Sequence, residues 1–153
     1  DETRHQRQGS KNHRIMIIDA TDLILGRMAS FAAKKALLGE KIDIVNCENA
    51  VITGSKRFIL SKYQQKRKRG VPLKGPYIPR MPDRFVRRSV RGMLNHKKAR
   101  GRDAFKRVMC HIGVPEKFKD KKTETIKQAN VEKLPNLNFV KVGEICRLLG
   151  AKI

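Results

Sequence analysis

Across residues 56–107, nineteen Lys or Arg stand against two carboxylates, Asp83 and Asp103, so this third of the chain carries a net +17 of the +22 on all 153 residues. A compact body repels itself when its cations have no carboxylate neighbours, and a salt-bridged solvated surface interleaves the two signs. The stretch must therefore lie on a surface, and that surface is expected to meet a polyanion, of which the phosphate backbone of nucleic acid is the commonest. The length suits one domain with a real core. We expect a flexible basic arm over residues 1–14, which are polar and lack apolar periodicity, and a single domain over residues 15–153.

A membrane surface also attracts cations, but it needs an amphipathic apolar face, a lipidation motif or a spanning segment, and none is readable. No apolar run approaches the roughly 18 residues of a spanning helix, and the polar start Asp1-Glu2-Thr3-Arg4 is no signal peptide. A cytoplasmic protein is expected. Cys47, Cys110 and Cys146 are odd in number and widely spaced, with no Cys-x-x-Cys pair, which argues against a disulfide framework and a zinc knuckle. They read as small core residues. Cys110 and His111 are adjacent, and neighbours on a strand point to opposite faces, so no metal site is expected there.

Ile15-Met16-Ile17-Ile18 is a continuous β-branched run, the signature of a strand covered on both faces. Residues 25–38 are mostly helix formers with Leu25, Met28, Ala29, Ala32 and Ala36 at helical spacing and Gly39 as C-cap. Residues 42–46 return to β-branched character. Strand, helix and strand within about 30 residues predict a right-handed parallel crossover and an α/β fold. A short strand is expected within residues 49–53, with Thr53 capping a second helix to about residue 66. Pro72, Gly75, Pro76, Pro79 and Pro82 make residues 70–82 a loop or extended arm. Pro82 and Asp83 then suit the first turn of a third helix. A short helix over residues 102–107, a strand over 108–112, a charged surface segment over 117–133 and an amphipathic helix over 142–149 complete the reading.

In the third helix Arg84, Arg87, Arg88 and Arg91 fall at i, i+3, i+4 and i+7 and share one face, with Val86, Val90 and Met93 opposite. A solvated helix face normally interleaves Glu with its cations; this one does not, and arginine forks match phosphate oxygens. Reversing Arg87, Arg88 and Arg91 to Glu is expected to leave the fold intact and abolish RNA association. A second basic cluster, Lys62, Lys66, Arg67, Lys68 and Arg69, closes the second helix and exceeds what its dipole needs. A third, His96-Lys97-Lys98-Ala99-Arg100-Gly101-Arg102, reads as a flexible basic loop. Tyr77 in the arm is a candidate for base stacking, whereas Phe85 reads as core. Arg27, Lys56, Arg57, Lys74, Arg80, Gly92, Lys106 and Arg107 complete the candidate RNA contacts.

Enzyme signatures fail on inspection. Gly54-Ser55-Lys56 has part of a phosphate loop, but Asn49 stands where its first glycine is needed. No dinucleotide-binding glycine pattern follows the first strand, and no His pairs with a carboxylate at metal-ligand spacing. Asp19 and Asp22 read as turn residues. No catalytic residue, metal, cofactor or small-molecule substrate is expected.

The chain resembles the large-subunit ribosomal protein thirteen family, archaeal or eukaryote-like type. The resemblance rests on Ile18-Asp19-Ala20 with Leu25-Gly26-Arg27-Met28-Ala29, then Ile44-Val45-Asn46-Cys47-Glu48, Ile52-Thr53-Gly54-Ser55-Lys56, and Pro82-Asp83-Arg84-Phe85 running into Val90-Arg91-Gly92-Met93-Leu94. Arg100-Gly101-Arg102 and Ile112-Gly113-Val114-Pro115 continue it, so the match spans residues 15–115. It implies a three-layer α/β fold around a small, mainly parallel four-stranded sheet, bound to large-subunit ribosomal RNA beside neighbouring ribosomal proteins and supporting subunit assembly. Asn95 departs from the family's proline after Arg-Gly-Met-Leu. The stop at Ile153, without the basic extension of eukaryotic cytosolic relatives, points to the archaeal type. The competing expectation is a free-standing RNA chaperone or translational regulator using the same basic surface.

Overall fold

The computed structural model describes residues 15–153; the expected arm over residues 1–14 lies outside them. Three strands, β1 (Ile15–Asp19), β2 (Lys41–Val45) and β4 (Val108–Cys110), form a parallel sheet in the order β1-β2-β4. Their register puts Ile18 opposite Ile44 and Ile44 opposite Cys110. Helix α1 (Leu25–Leu37) makes the β1-to-β2 crossover. Met28, Ala29, Ala32, Ala33 and Ala36 are all buried, and the four alanines let α1 lie close to the sheet and to α3 (Pro82–Gly92) and α4 (Ala99–Lys106). The other face of the sheet is thinner: Ile17 and Val45 are covered by Phe118.

The four-stranded sheet implied by the resemblance is here three parallel strands plus a separate antiparallel pair, β3 (Val51–Thr53) with β5 (Phe139–Lys141). Beside β1, where a fourth strand would lie, Glu124 alone forms a parallel bridge: its N–H donates to the Ile17 carbonyl at 2.7 Å, and its carbonyl accepts from the Asp19 N–H at 3.1 Å. One bridge blunts the strand edge without extending the sheet. The small pair carries α2 (Lys56–Lys68) and α5 (Val142–Leu148), and Ile59, Val140, Ile145 and Leu149 form its core. The segment over residues 117–133 is more tightly held than its charge suggested, since Phe118 and Ala129 are buried.

Local chemistry sets the element ends. Gly39, at φ +99°, closes α1: its N–H donates to the Ala36 carbonyl at 3.1 Å and the Glu40 N–H to the Lys35 carbonyl at 3.3 Å, the paired bonds of a Schellman motif. The cap of α2 is Ser55, whose hydroxyl accepts from the Phe58 N–H at 3.4 Å; Thr53, expected in that role, ends β3, and Gly54 at φ +122° makes the turn between them. Pro82 opens α3 as expected. Met93, expected on its buried side, is 44% exposed because the helix stops at Gly92, and Leu94 fills the core position instead.

At the end of β1 the Asp19 carboxylate accepts from the Thr21 N–H at 3.0 Å, the Thr21 hydroxyl at 2.7 Å and the Asn46 side-chain amide at 3.1 Å. Burial pushes this carboxyl up, but the bonds, led by the Thr21 N–H, outweigh burial and hold it below its ordinary value. The bonds therefore stabilise the fold at neutral pH, and the contribution is lost as pH falls through the carboxylate range. All three cysteines are buried and free. Burial, helped by the negative charge of Asp83, pushes the Cys146 thiol up to about 12. His111 faces away from Cys110 and pairs with Asp43 at 2.8 Å.

Ala32→Leu should destabilise the protein by about 1–3 kcal/mol through overpacking, read as a lower urea midpoint at unchanged denaturant slope.

Candidate nucleic-acid interface

The arm between α2 and α3 organises the basic surface. It begins with a tight turn in which the Val71 N–H donates to the Gly75 carbonyl at 3.1 Å and the Gly75 N–H to the Val71 carbonyl at 2.9 Å. Gly70, at φ +85°, sits so close that a Cβ there would lie 1.9 Å from the Gly75 oxygen, so only glycine fits. The turn presents Lys74, and beside it Leu73 is 92% exposed. Residues 76–81 then run back past the end of α2 to the start of α3.

This path brings together cations from three elements. Lys66 and Arg69, from the last turn of α2 and the residue after it, line one cleft with Arg88 of α3. Arg80 of the arm and Arg84 of α3 line a second, with Lys152 near the C-terminus. Among the described residues no carboxylate borders either cleft. Arg88 is held below its ordinary value first by burial and then by the charge of Arg91, and it stays cationic. Lys62 and Lys68 are exposed on α2, and Tyr77 projects from the arm at 68% exposure, open to stacking. Phe85 is buried as expected, its ring 4.9 Å from Tyr63.

Several expected contact residues turn inward or elsewhere. Arg87 is the main correction to the stripe: Nε donates to the Val108 carbonyl at 2.9 Å, Nη2 to the Phe105 carbonyl at 3.4 Å, and the guanidinium lies 4.0 Å over the Phe105 ring. It stands at the edge of the stripe nearest Val90 and Leu94, where α4 and the start of β4 each offer it a carbonyl. Arg107 donates to the Ala36 carbonyl at 3.0 Å and so finishes α1. Arg67 donates to the Leu149 carbonyl at the end of α5. Lys56 pairs with Glu144. Arg27 donates to the Gln128 carbonyl at 3.4 Å. Lys56 and Arg57 sit at the opposite end of α2 from Lys66, about 15 Å away along the helix.

The third cluster is also not the flexible loop expected. Ala99, Arg100, Gly101 and Arg102 form the first turn of α4, where Arg102 donates to the Lys97 carbonyl at 3.4 Å. Gly101 is buried, and a Cβ there would lie 2.0 Å from the Asn95 oxygen. Its role is close approach of two backbones. Gly92, by contrast, faces open space. Lys97, Lys98, Arg100 and Lys106 are exposed, and His96 is half-buried. Sequence reasoning missed Tyr63, Ile78 and Ser89, which line the first cleft, because only the fold brings the arm over α2 and α3.

The profile of the family described as ribosomal protein L13 matches residues 13–117. The chain belongs to that family. It is 47% identical over 137 residues to the large ribosomal subunit protein uL13 of Methanosarcina barkeri, covering 89% of this chain and 98% of that one. With the protein of the same name from Archaeoglobus fulgidus it shares 46% over 135 residues, 88% of this chain and 86% of that one. The uL13 of Methanococcus maripaludis is 43% identical over 143 residues, 90% and 99% of the two chains. These relatives are archaeal, and the residues matched to the family include the whole basic stretch over residues 56–107.

Two contrasts test the division of roles. Arg87→Ala should cost about 1.5–3 kcal/mol, since it removes charged donors from two carbonyls, whereas Arg88→Ala should stay within about 0.5 kcal/mol; urea unfolding of both variants checks this. In thermal melts Gly101→Ala should lose about 1–3 kcal/mol by steric clash, while Gly92→Ala should be neutral or gain up to about 1 kcal/mol from helix propensity.

Proposed function

We propose that this chain is a structural constituent of the large ribosomal subunit, cytoplasmic and not an enzyme, that holds folded large-subunit ribosomal RNA and supports subunit assembly among neighbouring ribosomal proteins. The observation that carries this reading is the convergence of Lys66, Arg69, Arg80, Arg84 and Arg88 around an arm, with no carboxylate among the described residues bordering the clefts they line. Membership of the ribosomal protein L13 family supports the same assignment.

Within this reading Lys62, Lys66, Lys68, Arg69, Lys74, Arg80, Arg84, Arg88 and Arg91 meet phosphates, and Lys97, Lys98, Arg100 and Lys106 extend the contact beyond α3. Such contacts go mainly to phosphate and ribose and read shape more than base sequence. The exposed Leu73 and Tyr77 fit an arm that lies against a partner rather than in water.

Neutralising roughly six to ten phosphates gives a slope of log K against log salt on the order of −4 to −9. A filter-binding titration of the chain with large-subunit RNA from 50 to 200 mM salt measures it, and a flat response contradicts the proposal. Replacing Arg84, Arg88 and Arg91 together by Glu should abolish that binding and leave the circular dichroism spectrum unchanged; Arg87 is excluded because it holds the fold. If the chain fails to sediment with large subunits through a moderate-salt wash, a free-standing RNA-binding role takes the place of a ribosomal one.

A further inference from the structure

We infer that the cleft between α2, the arm and α3 is a receptor for a single unpaired nucleotide, which rests on the RNA-binding reading above. The cleft holds about 410 Å³, within the range of sites that enclose small ligands and too small to admit a duplex. Its walls divide by chemistry. Phe85, Ile78, Pro79 and Pro76 supply an apolar surface, and Tyr63 adds its ring. The cations are Lys66 and Arg69 from the end of α2 and Arg88 from α3, and Ser89 of α3 also lines the cleft.

Charge and shape together select the occupant. A purely apolar guest leaves three cations crowded without an anion, and a free phosphate leaves the apolar walls in contact with water. A nucleotide satisfies both, with its base against the proline, isoleucine and aromatic surface and its phosphate toward the cations. The Lys66 ammonium already lies 5.1 Å over the Tyr63 ring, so one face of that ring is covered and the base meets the arm side of the cleft. Paired nucleotides show only edges and backbone, and so cannot use the apolar walls. The arm thus adds selectivity for a bulged or looped-out residue to a surface that otherwise reads phosphates.

Two hairpin RNAs test this with the full chain, one carrying a single bulged 2-aminopurine in its stem and one of the same length fully paired. The natural chain should bind the bulged hairpin about tenfold more tightly, with a change in 2-aminopurine emission on binding. Ser89→Phe, which fills the cleft, and Ile78→Ser, which removes part of its wall on the arm and away from the main core, should each bring that ratio to about one while keeping affinity for the paired hairpin. Equal binding of both hairpins by the natural chain, or a preference that survives in both variants, overturns the inference and leaves the general RNA-binding reading standing. Binding of neither hairpin removes that broader reading as well.

Discussion

Like charges that cannot neutralise one another govern this fold. A segment of 52 residues with nineteen cations and two carboxylates can join a compact structure only if its few apolar residues anchor it and its charges stay outside or meet carbonyl dipoles. Both solutions appear. Ile59, Phe85, Val86, Val90, Leu94 and Ala104 are the anchors, spaced so that each helix of the segment turns one side to the core. Arg67, Arg87 and Arg107 take the other route, each donating to a backbone carbonyl, at the end of a helix for Arg67 and Arg107.

That division separates neighbours on one helix. Arg87 and Arg88 are adjacent and chemically identical, yet one is bound to two carbonyls and stacked on Phe105, while the other borders an open cleft beside Lys66 and Arg69. The difference arises from about 100° of helix rotation. That rotation carries Arg87 to the edge of the apolar side, where α4 and β4 each supply a carbonyl, and leaves Arg88 lining a cleft whose other charged groups are the cations Lys66 and Arg69.

What could be read from the chain followed the same physics. The β1-α1-β2 crossover was legible because its β-branched runs and helical alanine spacing each have a single burial solution, and Pro82 announced α3. Strand β5 was not legible, because three residues carry no period and exist as a strand only through pairing with β3. Ser55 displaced Thr53 as cap because the partner strand reaches Thr53 first, a long-range fact no local pattern contains. The arginine stripe was visible as a stripe, but which member lay against another element depended on α4, whose start fell three residues earlier than the composition suggested. The cleft needed the arm's path, and nothing local in Tyr63, Ile78 or Ser89 announces it.

The turn at Gly70 and Gly75 has a kinetic meaning. Both residues adopt left-handed backbone angles, and hydrogen bonds between Val71 and Gly75 close the loop within the free protein. Fixing a backbone residue costs about 1–2 kcal/mol of conformational entropy, so a limp arm of this length would forfeit much of its electrostatic attraction while being ordered at the moment of contact. Here that ordering is completed when the chain folds, and the hook arrives already shaped. Any encounter through the arm can then proceed by docking without coupled folding.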